Sequence, residues 1–291
     1  MSAIQLIKPT GESPRLVHGA SDHSFCDPSM AIVRIGWVGI CRTDLAVADG
    51  ALPAPDGIVL GHECSGVVER DPSGRHAKGA LVAINPLLPG RTFLGLHAHG
   101  VLQTHLSIDP RQLVAASGVD PRIAAYVEPV AASMAAAKAR IDTSQRGVIF
   151  NDNRISALTH SILVSMGYRL DWIKSPPDGS IVEAYDYAIE TSFEDRIIEL
   201  TLRALRPGGL LVVKSRQGAP RSINPAELVA KELTLQAVNY HDFDAAMAWL
   251  RQHSKLVEPL LGASYPILRW REAFKAASSG ESLKTFIRME G

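Results

Sequence analysis

Three short segments concentrate the side chains that can do chemistry. Gly39-Ile-Cys41-Arg42-Thr43-Asp44 places a thiol directly after an apolar extended run and two residues before a hydroxyl. Gly61-His62-Glu63-Cys64-Ser65-Gly66 sets an imidazole and a carboxylate between glycines, where the backbone can approach a ligand closely. Tyr126-Val127-Glu128-Pro129 puts a further carboxylate at a helix boundary, because the residue before a proline is steered away from helical backbone. A thiolate, an imidazole and a carboxylate together suit a catalytic zinc that keeps one position open for water or substrate. Of the other two cysteines, Cys64 reads as core and Cys26, near His23, as structural or surface. Three cysteines, an odd number, argue against a disulfide framework and for a reducing compartment.

The elements that must position these groups fall into two textures. The first third consists of extended runs broken by Gly and Pro: residues 31–40, 64–69 and 80–84. From about Pro121 the chain alternates helices and strands. An Ala-rich helix over 131–140 precedes a strand at 147–150, a helix over 155–166 and a strand at 169–174. A strand at 185–189, a helix over 194–205 and a strand at 210–213 follow, a pattern that implies a parallel sheet with crossover helices. The tail from Glu258 returns to extended and short helical sequence. The expected architecture is therefore a β-rich unit interrupted by an α/β unit.

The three segments, in this order, resemble those of the medium-chain, zinc-dependent alcohol dehydrogenase superfamily, and the Glu128-Pro129 variant is most similar to its polyol and threonine dehydrogenase branch. Further matches at Arg206-Pro-Gly-Gly209, Asn224-Pro-Ala-Glu-Leu228, Lys231-Glu-Leu-Thr234 and Ser282-Leu-Lys284 extend the resemblance over nearly the whole chain. It implies an α/β fold with a GroES-like β-rich catalytic domain over 1–136 and 257–291, and a Rossmann-like domain over 137–256. It also implies Cys41, His62 and Glu128 as ligands of one catalytic zinc. Thr43 would relay the substrate proton, Asp44 would orient His62, and Glu63 would be able to exchange onto the metal. Arg42 matches a position that can contact a pyrophosphate, and the family suggests a homodimer.

Two departures shape the functional expectation. The interval from Asn85 to Gly100 has no cysteine, so no four-cysteine lobe for a structural zinc exists there; His97, His99 and His105 read as solvated or substrate-facing. In the nucleotide unit, Asn151-Asp152-Asn153-Arg154-Ile155-Ser156 stands where the family has G-x-G-x-x-G. Asn tolerates left-handed backbone, so the turn can survive, but side chains now stand where a pyrophosphate approaches. Asp152 adds a negative charge that Arg154 and the helix N-terminus offset in part. Lys174-Ser175 replaces the acid that would hold a ribose, which favours NADP(H) over NAD(H), bound weakly. The passage from Pro177 to Tyr185 is too short for the usual helix and strand, so the sheet should be truncated by at least one βα unit.

Thirty basic residues balance thirty acidic ones without clustering, which excludes an electrostatic footprint for nucleic acid or anionic lipid and leaves a small-molecule substrate. No stretch approaches the roughly 20 apolar residues that span a bilayer, and the first residues lack the apolar core of a signal peptide, so a cytoplasmic protein is expected. The leading expectation is a zinc-dependent oxidoreductase acting on a secondary alcohol, polyol-like or ketone substrate with a nicotinamide. The alternatives are a zinc-dependent lyase, isomerase or hydrolase that has lost the dinucleotide, and a catalytically silent partner subunit, whose signature would be loss of zinc.

Overall fold

The computed structural model describes residues 3–19, 27–175, 181–216, 222–279 and 283–289. The readings of Cys26 and of the Pro176–Gly179 passage lie outside these residues. The chain divides into two compact units, Met1–Glu128 with Phe243–Gly291, and Pro129–Asp242.

The first unit is built around the strand Ala31–Gly39, whose alternating apolar residues are almost all buried. It pairs antiparallel with Glu63–Arg70, His105–Ile108 and the C-terminal strand Lys284–Arg288, in a sheet that continues outward through Leu81–Ile84 to Leu113–Ala115 and through Leu261–Pro266. Gly39 lies opposite Glu63 on one side and Phe286 on the other. The end of the central strand, the turn at His62 and the start of the last strand therefore meet at one place. A core containing Leu6, Val33, Ile35, Val38, Leu60, Val82 and Ile84 backs this sheet. Fully buried aliphatic side chains of this size each stabilise by roughly 1.5–3 kcal/mol.

The second unit is a five-stranded parallel sheet among the described residues. Its spatial order is Arg169–Ile173, Arg146–Phe150, Tyr185–Glu190, Leu205–Val213, Thr234–Ala237. The run Gly147–Phe150 is buried throughout, as a strand covered on both faces must be. The helix Arg154–Ser165 packs on the first two of these strands and Asp195–Ala204 on the third and fourth. The chain passes from the edge strand Arg169–Ile173 to Tyr185–Glu190 with no helix or further strand between them among the described residues, so the sheet has the expected truncation.

The return to the first unit comes earlier than the texture change near residue 257 suggests. The helix Phe243–Val257 packs against Pro121–Ala124 and Leu113–Ala115, and Arg251 donates to the carbonyls of Ser117 (3.2 Å) and Ala115 (3.3 Å). Likewise Pro129 to Ala136, expected in the first unit, fall in the second. No helix among the described residues is long and apolar enough to cross a membrane.

Candidate metal centre and nucleotide turn

Cys41 caps the short helix Arg42–Ala48, which starts as soon as the central strand ends. Asp44, in the first turn of that helix and 1% exposed, ties three backbone and side-chain groups together. Its carboxylate accepts the Cys41 N–H (2.8 Å) and the Gly61 N–H (3.2 Å), and it faces His62 Nδ1 at 3.0 Å. Gly61 adopts φ +92, a left-handed backbone that a side chain would strain, and this turn presents His62 to Asp44. With Nδ1 engaged, His62 keeps Nε2 for a ligand, the arrangement that fixes the tautomer of a metal-binding imidazole. The Phe93 ring packs on His62 with centroids 5.0 Å apart.

Cys41, His62 and Glu63 form one group whose candidate ligand atoms lie within 4.8 Å of one another, the metal-capable cluster found among the described residues. Thr43 Oγ1 is 3.9 Å from Cys41 Sγ, and Arg42 is exposed. Glu128, 6% exposed, lies outside that group but close enough to act electrostatically on Glu63. The geometry thus gathers Glu63 rather than Glu128 with the thiol and imidazole. Glu63 is ion-paired through Oε1 with Lys284; both are 1% exposed at the side chain, and Glu63 Oε2 is buried without a hydrogen-bond partner.

The electrostatics follow from this crowding. Burial works against an imidazolium at His62, but the Asp44 carboxylate and Cys41 outweigh it and hold the imidazole's proton affinity well above the ordinary range. Burial would raise the Asp44 carboxyl, yet the facing His62 and the Cys41 N–H bring it below the ordinary value. Glu63 is raised, by burial first and then by Glu128, with Lys284 opposing. Burial pushes the Cys64 thiol far up, which makes it the inert core group its sequence position suggests. His99 Nδ1 takes the Val59 N–H at 3.1 Å and His105 Nε2 lies 3.4 Å from Glu69, so neither belongs to a metal group. A thiol, an imidazole with its second nitrogen held, and a buried carboxylate oxygen with no partner form a donor set that fits zinc.

In the second unit, Asn151 adopts φ +90, as the turn requires. Asn153 caps the helix Arg154–Ser165, its carboxamide oxygen accepting the Ser156 N–H at 2.8 Å. Ser156 is fully buried. Lys174, just past the edge strand, lies 3.6 Å from Asp152 Oδ1 and 4.2 Å above the Trp172 ring; Ser175 beside it is exposed. The turn is well formed, but it lacks the bare backbone against which a pyrophosphate packs, and it does not fit a dinucleotide as a glycine-rich turn does.

Sequence reasoning did not single out Lys284 as a site residue, or Trp172, Thr191, Ser192 and Glu194 around the turn. For Lys284 a signal existed in the matched Ser282-Leu-Lys284 segment; the others had none.

Comparison with known proteins agrees with this architecture. The family model described as alcohol dehydrogenase GroES-like domain matches residues 27–118. The Escherichia coli (strain K12) protein named L-idonate 5-dehydrogenase (NAD(P)(+)) is 23% identical over 302 residues, covering 84% of this chain and 88% of that protein. The crystal structure of L-idonate 5-dehydrogenase from Escherichia coli superimposes with a TM-score of 0.86 at 20% identity, covering 99% of both chains. That of 2R,3R-butanediol dehydrogenase from Bacillus subtilis gives 0.85 at 20% identity, again with 99% of both covered. Residues 27–118 thus match an alcohol dehydrogenase GroES-like domain, and over most of its length the chain is a homologue of L-idonate 5-dehydrogenase with the fold of the solved dehydrogenases.

Proposed function

We propose that the chain is a zinc-dependent oxidoreductase acting on a secondary hydroxyl of a polyol or sugar acid, or on the corresponding ketone. Its homologues are dehydrogenases of such alcohols, which supports an oxidoreductase on alcohol substrates. The observation that carries the finer reading is the grouping of Cys41, His62 and Glu63, with Asp44 holding the far nitrogen of His62. Cys41 and His62 are two ligands of a single zinc. Glu63 supplies the third in this arrangement, and Glu128 is the carboxylate that takes the place when Glu63 stays with Lys284. Bound there, zinc would polarise the substrate oxygen and lower the proton affinity of a hydroxyl. Thr43, half-buried beside Cys41, receives the hydroxyl proton and passes it outward.

The cofactor reading is a nicotinamide dinucleotide, NADP(H) ahead of NAD(H) because Lys174 stands where an acid would hold the ribose, and bound weakly. The filled turn at Asn153 also favours a second reading, a zinc enzyme that acts as a lyase, isomerase or hydrolase without a dinucleotide. Oxidation of a polyol and sugar-acid panel with NADP and NAD separates the two: turnover without either nucleotide would overturn the redox reading. A homodimer is the assembly proposed, through the edge strand Thr234–Ala237, where Leu235 is 40% exposed.

Two further results are expected. Asp44→Asn should weaken zinc binding roughly 10- to 100-fold, as loss of a ligand-orienting carboxylate does, measured by competition with a chromophoric chelator. An unchanged affinity would show that Asp44 does not orient His62. Zinc affinity should also depend on pH with a definite sign. Metal must displace the His62 proton, whose affinity is raised above the ordinary value of 6.5. Below that value the metal-free imidazole carries its proton, so between about pH 5.5 and about pH 6.5 affinity should rise by close to tenfold from this proton alone. A flat profile over that window would mean that His62 is not a ligand.

A further inference from the structure

The loops at the carboxyl ends of the adjacent strands Arg146–Phe150 and Tyr185–Glu190 flank the point where the sheet's strand order reverses, which in open parallel sheets is where a ligand crevice forms. Here the two loops are joined by their own side chains. Asn151 Nδ2 donates to Ser192 Oγ (2.9 Å) and Glu194 Oε1 (3.1 Å). Asn153 Nδ2 donates to Thr191 Oγ1 at 3.4 Å, and Ser156 Oγ lies 2.8 Å from the same oxygen. Ser156, Thr191 and Ser192 are all buried. Trp172 Nε1 donates to the Asn151 carbonyl at 2.9 Å and fixes the turn from the other side.

We propose that this phosphate turn is occupied by the chain itself: the Asn153 carboxamide stands in for a phosphate oxygen at the helix N-terminus, and a dinucleotide binds only by breaking the Asn151, Asn153 and Ser156 contacts to Thr191, Ser192 and Glu194. The Ser156 N–H, one of the donors a helix start offers to an anion, is already taken by Asn153 Oδ1. The Asn153 side chain stands at the position whose glycine lets the backbone approach the pyrophosphate, while Asn151 and Ser156 replace the glycines of the tight turn and of helix packing. Their contacts are satisfied hydrogen bonds, several of them buried, so a ligand gains only what its own contacts exceed these by. Asp152 and Lys174 form an exposed pair beside the turn, so a 2′-phosphate must compete with Asp152 for the lysine. The inference rests on the reading of this unit as a nicotinamide domain, and it is independent of the zinc assignment.

The test is calorimetric titration of the full-length, zinc-analysed protein with NADPH and NADH, in the wild type, in N153G and in T191V. Glycine is an acceptable helix N-cap, costing only a few tenths of a kcal/mol relative to Asn, so N153G should fold. T191V keeps the shape of the side chain and removes only its hydroxyl contacts. The expected result is that N153G binds NADPH at least about tenfold more tightly than the wild type, and T191V several-fold more tightly. Micromolar NADPH binding by the wild type, or folded variants no tighter than it, would overturn the self-occupied turn. Absence of nucleotide binding in all three proteins would overturn the nicotinamide reading along with it. Absence of zinc from samples that show the expected tightening would fail the metal reading alone.

Discussion

Cys41→Ser combined with His62→Ala should reduce bound zinc from one equivalent per chain to less than about a tenth, and lower alcohol oxidation by roughly a thousandfold or more. Both side chains converge on one point from two different elements, the cap of the helix Arg42–Ala48 and the glycine turn at Gly61. Their loss leaves only glutamates, which bind zinc poorly without a softer partner. The rate effect follows because metal polarisation of an alcohol oxygen is worth several kcal/mol, and about 4 kcal/mol is roughly a thousandfold. No other group of potential ligands with this geometry occurs among the described residues, so the metal should not relocate. Two equivalents in the wild type, or full retention of zinc in the double variant, would refute the single-site assignment. Plasma emission analysis on dialysed protein gives the answer before any substrate is known.

The parts of this site that sequence reveals are those whose partners are close along the chain. Cys41 and Asp44 share one helical turn, and His62 follows a glycine whose turn is local, so these groups can be read together before any tertiary structure is known. Asn151 was legible for the same reason: a turn after a buried strand needs left-handed backbone, and Asn is the side-chain-bearing residue that best accepts it. What the chain brings together over long separations was not legible. Glu63 meets Lys284 across two strand pairings, and Thr191 meets Ser156 only because their strands are neighbours in the parallel sheet. The carboxylate gathered with Cys41 and His62 illustrates the limit. Glu63 and Glu128 are both carboxylates at plausible places, and only the pairing of Gly39 with Glu63 puts one of them beside Cys41. The helix Phe243–Val257 is amphipathic, but its apolar face does not say which sheet it covers. That choice is made by Arg251 and by the surface at Pro121–Ala124, so the boundary between the units lies earlier than its texture suggests.

Lys284→Met should destabilise the metal-free protein by about 3–5 kcal/mol, the cost of leaving a buried charge without its partner. Lys284 and Glu63 lie on strands that flank Gly39, and a Cβ at that glycine would stand 2.5 Å from Glu63 Oε2 and 2.8 Å from Lys284 Cε. The interior therefore has a place shaped for this ion pair. Methionine keeps most of the lysine's length and apolar volume while removing the ammonium, so the loss is electrostatic rather than a packing defect. Glu63 is already raised by burial and by Glu128, with Lys284 pulling the other way. Without Lys284 its affinity for a proton rises further above the unfolded value. A carboxyl raised in the folded state adds stability where it is protonated and loses that stability as pH climbs through its folded value. The deficit of Lys284→Met should thus be largest in mildly alkaline solution and shrink as the pH falls. Lys284→Met with Glu63→Gln removes both charges and should recover most of the loss. Zinc offers Glu63 a second cation, so the loaded protein should suffer less from Lys284→Met than the metal-free one. Urea unfolding of the wild type, the single variant and the double variant, metal-free and zinc-loaded, at two pH values measures all of this. A single variant within about 1 kcal/mol of wild type at the higher pH, or a double variant no more stable than the single, would show that the buried pair does not carry this energy.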